Sequence, residues 1–332
     1  MSQVAPWVRR QARQLLAQRG HAWLLHGPSG LGQYDLALAL AGAWLCEQPG
    51  PDGACGACPS CHAIEVRAHT DLCVLMLETT LLYLAWPLGE KAQAEIDDKK
   101  RKPSKEIRIE AMRDAVEFAQ RTSGRGRGKV VLVYPAERMN YVTASALLKT
   151  LEEPAGDTRF VLASEAAHHL LPTIRSRCLG HALVWPAGRE AADWLVEQGV
   201  KPSDTEALLR AAGSRPHHAL ASAQADRDPK LWALLPKAVA RGDSTVLADC
   251  TPAEAVDALQ KLCHDLLVVK AGGAPRFFQA GDLPPPASIT ALSEWSRELV
   301  RSARTVDHPF NAGLMLETLV SQARLALNSQ PA

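Results

Sequence analysis

Residues 22–27, Ala-Trp-Leu-Leu-His-Gly, form an apolar run that passes into Gly27-Pro28-Ser29-Gly30-Leu31-Gly32-Gln33-Tyr34, and an Ala/Leu-rich stretch, Asp35 to Leu45, follows. A buried strand, a glycine-rich turn and a helix in that order can wrap backbone N–H groups around a phosphate at the helix N-terminus. Such a strand is covered on both faces, so the rest of the chain must supply partner strands and covering helices.

The partners are legible downstream. Residues 71–78, Lys129–Val133 (after the flexible run Ser123 to Gly128) and Phe160–Ala163 read as further strands. Helical periodicity appears at Ile109, Met112, Val116 and Phe118, and a second helix is expected near Thr143–Leu151, with Pro154 beyond it. Strands alternating with helices predict an α/β domain with a mostly parallel sheet. The polar stretch Pro87 to Lys105, with Asp97-Asp98-Lys99-Lys100-Arg101-Lys102, is expected to be a mobile surface loop whose basic part (97–105) faces solvent.

After about Trp185 the strand signals end. Helices remain, broken at Gly199–Ser203, Gly213–Pro216, Gly272–Pro275 and Leu283–Pro286. The expected domains are 1–185 (α/β), 186–226 (small, helical) and 227–332 (larger, helical). Trp194, Trp232 and Trp295 fall in helical segments as core anchors. His168-His169 and His217-His218 are poor metal sites, because adjacent side chains on a helix diverge.

The phosphate loop is damaged. A working loop ends in Lys, which places a charge on the β- and γ-phosphates, then Ser or Thr, whose hydroxyl holds Mg²⁺. Gln33 and Tyr34 stand there instead. Gln has no charge, and the Tyr hydroxyl lies too far from the backbone to replace Ser. The acidic residues that should end the strand at Val133 are also missing: Tyr134-Pro135 follows, and Glu137 comes too late for the metal. ATP hydrolysis by this chain is therefore not expected. The residues of the degenerate loop are Gly27, Gly30, Gly32, Gln33 and Tyr34.

Cys46, Cys55, Cys58 and Cys61, spaced C-x8-C-x2-C-x2-C, lie among Gly53, Gly56 and Pro59 in a Pro/Gly-rich loop, a poor context for regular structure. Four thiolates close a tetrahedral Zn²⁺ site with no open position, the structural arrangement. Such a site stabilises zinc-finger peptides by about 10–16 kcal/mol. An Fe–S cluster is the chemical competitor. Cys73, Cys178, Cys250 and Cys263 are isolated and read as ordinary buried cysteines. The formal net charge of +1 gives no bulk field for nucleic acid. The first residues lack a signal-peptide plan, and no apolar run reaches about 18 residues, so a cytoplasmic protein without a membrane span is expected.

Ala146-Leu147-Leu148-Lys149-Thr150-Leu151-Glu152-Glu153-Pro154 and Leu170-Leu171-Pro172-Thr173-Ile174-Arg175-Ser176-Arg177-Cys178 resemble the clamp-loader branch of the AAA+ proteins, whose signature is the Ser-Arg-Cys triplet. Asn140 fits that pattern. Gly213-Ser214-Arg215-Pro216 is similar to the family's lid, and Asn311, Leu314, Leu316 and Glu317 to its collar. The resemblance implies a RecA-like AAA+ domain with a zinc module (46–61), then a helical lid and a helical collar used for oligomerisation. A degenerate loop, a zinc module and a retained triplet together resemble the family's non-hydrolysing subunit. Its implied partners are the gamma/tau and delta subunits and, through the assembly, the sliding clamp and primed DNA. The resemblance further implies that Arg177 acts in trans as an arginine finger on a neighbour's ATP, a role worth roughly 10³–10⁵ in rate, with Arg175 assisting the interface. Lys149 and Glu152-Glu153 would pack or pair there. Arg215 sits where related motors sense nucleotide. Two readings stand beside this one: a gamma/tau-like ATPase with unusual motifs, and a zinc-containing nucleic-acid-binding protein.

Overall fold

The computed structural model describes residues 4–225, 229–285, 287–306 and 311–329. The chain falls into two compact units, Met1–Glu190 and Ala191–Ala332. The expected boundary at 226/227 and the last residue of the Leu283–Pro286 break lie outside the described residues.

In the first unit, α1 (Pro6–Leu16) precedes β1 (Ala22–His26), α2 (Gln33–Leu45), α3 (Pro59–Glu65) and β2 (Leu72–Leu75). There follow α4 (Glu78–Tyr83), α5 (Glu90–Asp97), α6 (Ile109–Gln120), β3 (Lys129–Val133), α7 (Tyr141–Glu152), β4 (Thr158–Ser164), α8 (Pro172–Arg175) and β5 (Leu179–Ala182). All strand pairs are parallel, in the order β2-β3-β4-β1-β5. Side chains alternate across the sheet. Ala22, Leu24, Val131, Val133, Phe160 and Leu162 pack in one cluster with Met112 and Ala115 of α6 and Leu147 and Leu151 of α7. The other face carries α2, which packs on β1, β3 and β4. Burial from both sides explains why these strands read as continuous apolar runs. Each fully buried Leu, Val or Phe contributes about 1.5–3 kcal/mol.

Two sequence expectations need correction, and a fifth strand has no counterpart in the sequence reading. The edge strand β5 carries no apolar run: Leu179, Gly180 and Ala182 are exposed and His181 half-buried, so only pairing to β1 defines it. The cysteine segment is not all loop, because Pro59 at the first turn and the Cys58 sulfur as N-cap start α3 there. The stretch 87–105 contains α5, which buries no side chain. Ion pairs anchor the residues just beyond this helix: Arg101 reaches Glu78 and Glu95, the latter at 2.7 Å, and Lys100 pairs with Asp98 at 2.8 Å.

The helix α9 (Gly188–Glu197) crosses the division between the units, and α10 (Pro202–Ala211), α11 (Pro216–Gln224), α12 (Pro229–Arg241), α13 (Pro252–Lys270), α14 (Ile289–Ala303) and α15 (Ala312–Leu327) follow. Proline opens α10, α11 and α13 at the first turn, where its missing N–H costs nothing. A core of Val239, Leu259, Leu262, Leu266, Leu292, Trp295, Leu299, Leu319 and Val320 joins α12 to α15. Trp232 stacks on Phe278 at 4.7 Å, and Trp194 and Trp295 are buried, as anchors should be. No helix among the described residues is long and apolar enough to cross a membrane.

Candidate functional site

The glycine-rich loop leaves β1 and turns into α2. Gly30 and Gly32 hold φ of 80° and 96°, a left-handed backbone that side chains disfavour, so the turn into α2 requires glycine at both positions. Its interior is engaged by the chain itself. Gln33 is buried, and its Nε2 donates to the carbonyls of Gly27 and Pro28 at 2.8 and 2.7 Å. Trp7 Nε1 donates to Leu31 O at 2.9 Å. A neutral amide that satisfies loop carbonyls stands where a lysine would face phosphate.

The adjacent positions are aromatic. The Tyr34 hydroxyl accepts from Trp86 Nε1 at 2.7 Å, and its ring lies 5.7 Å from that of Tyr134. Tyr134 donates to Glu165 at 2.8 Å. Burial raises the pKa of both phenols, keeping them neutral. Glu137 sits in a 3₁₀ turn (Ala136–Arg138), and its carboxylate accepts from the Glu165 N–H at 3.2 Å. The carboxylates beside the loop thus hold protein donors. The sequence did not single out Trp86 or Glu165. Glu165 had a usable signal, being acidic directly after the apolar run of β4; Trp86 had none.

Arg177 lies between α8 and β5. Its Nε donates to Glu152 at 2.5 Å, and its Nη1 donates to the Thr173 carbonyl at 2.8 Å. Glu152 is the last residue of α7, so the two sequence blocks 146–154 and 170–178 meet in this ion pair. The register fixes where this arginine is. Leu179 of β5 is level with Trp23 of β1, whereas the glycine loop begins at Gly27, four residues further along, or roughly 13 Å at strand rise. Arg177 precedes Leu179. It therefore lies toward the opposite end of the sheet from its own chain's glycine loop. Arg175 is exposed.

The four cysteines converge. All four Sγ atoms lie within 4.8 Å of one another, with Cys46–Cys58 at 3.8 Å, Cys55–Cys61 at 3.9 Å, Cys58–Cys61 at 3.5 Å and Cys46–Cys61 at 3.7 Å. A tetrahedron with Zn–S of about 2.3 Å has S···S edges of about 3.8 Å, so the set fits zinc. The cysteines are free thiols rather than disulfides. Burial works to raise the Cys58 thiol, but the Cys61 and Glu47 backbone amides outweigh it and bring it down to about 6. Burial pushes Cys61 up to about 12. Ser60 donates to Glu47 at 3.0 Å, and Arg125 reaches the same carboxylate at 3.2 Å, tying the module to the segment before β3.

That segment is held by Asp71, to which no sequence signal pointed. Asp71 accepts from Gly124 N–H at 2.7 Å, Arg125 N–H at 2.8 Å and Ser123 Oγ at 3.0 Å. Elsewhere, Cys263 is buried as expected, while Cys73, Cys178 and Cys250 are half-buried. The His168 and His169 rings lie 4.1 Å apart but join no larger group of metal-binding side chains among the described residues; His217 lies against Trp194. Arg215 Nε donates to Ala212 O at 2.9 Å.

A parallel sheet of order β2-β3-β4-β1-β5, with a glycine loop between β1 and α2 and helices following, is the fold of an AAA+ module. A DNA polymerase III gamma-subunit-related protein from Thermotoga maritima shares it, with a TM-score of 0.51 at 17% identity over 96% of this chain and 99% of that one. The family described as DNA polymerase III, delta subunit, matches residues 8–183, and the chain belongs to it. Similar proteins include the DNA polymerase III subunit delta' of Pseudomonas aeruginosa, 38% identical over 220 residues (65% of this chain, 60% of that protein). The subunit delta' of Escherichia coli is 33% identical over 227 residues (67% and 61%). The subunit tau of Salmonella typhimurium is 33% identical over 159 residues (48% and 21%). The chain thus matches 60% and 61% of the length of the first two relatives.

Proposed function

We propose that this chain works as the non-hydrolysing delta-prime subunit of a DNA polymerase III clamp loader and donates Arg177 to the ATP site of an adjacent gamma/tau subunit. The observation that carries this reading is an opposition within one sheet. The loop that should hold phosphate is closed on Gln33, while the arginine of the Ser-Arg-Cys triplet sits toward the other end, out of reach of that loop. A guanidinium there can act on a triphosphate only if another subunit presents it.

A planar fork of N–H donors suits the charge that builds on the γ-phosphate during transfer. Glu152 takes that fork through Nε and Nη2 and the Thr173 carbonyl takes Nη1, while 30% of the Arg177 side chain stays exposed, so the arginine must exchange Glu152 for a neighbour's phosphate. In this reading residues 1–185 are the AAA+ domain with its zinc module, 186–226 the lid and 227–332 the collar. The partners are gamma/tau and delta, with the sliding clamp and primed DNA reached through the assembly, in the cytoplasm. Zn²⁺ held by Cys46, Cys55, Cys58 and Cys61 is structural: with four sulfur ligands it offers no open position for substrate.

The test is reconstitution with gamma/tau and delta subunits. Arg177→Ala should lower DNA-stimulated ATP turnover and clamp loading while the complex still assembles. Turnover equal to that of the unsubstituted complex removes the assignment.

A further inference from the structure

A second feature lies in the first unit, at the N-terminal end of the strands. A cleft of about 440 Å³ is lined there by Arg19, Arg127, Arg159, Trp44, Gly50 and Gly53, among others. Arg19 immediately precedes the turn into β1, Arg127 the entry to β3, and Arg159 is the second residue of β4, so three separate strand starts bring three arginines to one hollow. The Arg159 guanidinium lies over the Trp44 ring, 5.4 Å from its centroid, which fixes it in place.

The lining of this cleft carries no counter-charge of its own. No carboxylate among the described residues lines it. The acids of the neighbouring zinc module are engaged elsewhere: Asp52 pairs with Arg13 at 2.5 Å and Glu47 with Arg125 at 3.2 Å. Neither Arg19 nor Arg127 has an ion-pair partner among the described residues. Three like charges facing one concavity repel one another, and an anion placed between them relieves that repulsion. Guanidinium forks match phosphate oxygens bidentately. The volume falls within the usual range for small-ligand sites, about 300–1,000 Å³. The chain's net charge of +1 gives no reason for such a concentration.

We propose that this cleft binds a phosphate-bearing ligand, its phosphates held by Arg19, Arg127 and Arg159. A nucleic-acid backbone and a free pyrophosphate group share that chemistry. Neither the glycine loop nor Arg177 is among the residues that line the cleft, and the test reads its occupancy apart from the role given to either.

The test uses the full chain at low salt, with inorganic pyrophosphate followed by calorimetry and a labelled single-stranded oligothymidylate followed by fluorescence anisotropy. Arg19→Gln combined with Arg127→Gln should weaken binding by roughly tenfold or more, since two charge-assisted contacts are lost. Both positions are exposed, so thermal unfolding should not change. Arg121→Gln, which removes an exposed pair with Glu117, should leave binding intact. Oligonucleotide binding that depends on Arg19 and Arg127, with a log–log salt slope of roughly −1.4 to −2.1, identifies a backbone contacting two or three phosphates. Pyrophosphate binding with the same dependence but no oligonucleotide binding identifies a small polyphosphate. Absence of both, binding that the double substitution leaves unchanged, or equal affinity for polyglutamate each overturns the proposal.

Discussion

Asp71→Asn is the substitution whose cost follows most directly from the geometry. The carboxylate is 1% exposed and accepts three hydrogen bonds, from Ser123, Gly124 and Arg125. Lys129, itself buried, places its Nζ 4.0 Å away and over the Phe118 ring. Asparagine keeps one acceptor oxygen and turns an NH₂ group toward donors, which removes at least one part-buried hydrogen bond at a cost of about 1 kcal/mol. It also removes the counter-charge of a buried ammonium, a change that typically costs about 3–5 kcal/mol. These effects overlap, so the expected loss is about 3–5 kcal/mol. In urea, where unfolding free energy falls by about 1–3 kcal/mol per molar, the midpoint of the first unit should drop by about 2 M. The pH dependence has a fixed sign. Burial works to raise the Asp71 pKa, but the Gly124 and Arg125 amides, Ser123 and Lys129 outweigh it and hold the carboxyl below its ordinary value. The stabilisation is therefore fully present above the unfolded-state value of about 3.9 and is lost as the pH falls through the folded-state value. The asparagine variant should lack this acid-side loss. A midpoint within about 0.5 M of the parent, or an unchanged acid profile, would refute the reasoning.

Purified folded chain should carry one equivalent of zinc; less than about half an equivalent counts against the four-cysteine site, and Cys61→Ser should abolish retention because it removes one of four ligands at the buried centre of the cluster. Gln33→Lys with Tyr34→Thr should not create ATP turnover in the isolated chain, since Tyr134 still occupies the end of β3 where an acid is needed; measurable turnover would show the loop to be the sole lesion. Glu152→Gln should change unfolding free energy by no more than about 1 kcal/mol, because the pair with Arg177 is partly solvated. A larger loss in a denaturant melt would mean that Arg177 is a structural residue first.

Sequence revealed the strands buried on both faces, β1, β3 and β4, because burial demands unbroken apolar runs, and also the half-buried edge strand β2, whose Leu72-Cys73-Val74-Leu75 is apolar throughout. The edge strand β5 was illegible for the opposite reason: its residues face solvent or the half-buried margin and carry no hydrophobic pattern. The helix α5 was missed because it buries nothing, and ion pairs do not announce themselves by periodicity. The cysteine set was legible from spacing alone, since ligand types at short intervals admit few arrangements. The aromatic packing behind Gln33 was not, because Trp86 reaches Tyr34 across 52 residues of sequence. Asp71 escaped for the same reason, its partners lying 52 to 54 residues away. The Arg177–Glu152 pair joins two blocks that had each been noticed, but their meeting is a property of how α7 and α8 pack.

The most direct measurement is a structure of the assembled complex with a non-hydrolysable ATP analogue bound to the neighbouring subunit. The expected result is the Arg177 guanidinium within about 3 Å of a γ-phosphate oxygen of that nucleotide. A guanidinium still closed on Glu152, with the neighbour's triphosphate beyond a Debye length of about 10 Å, would contradict the account.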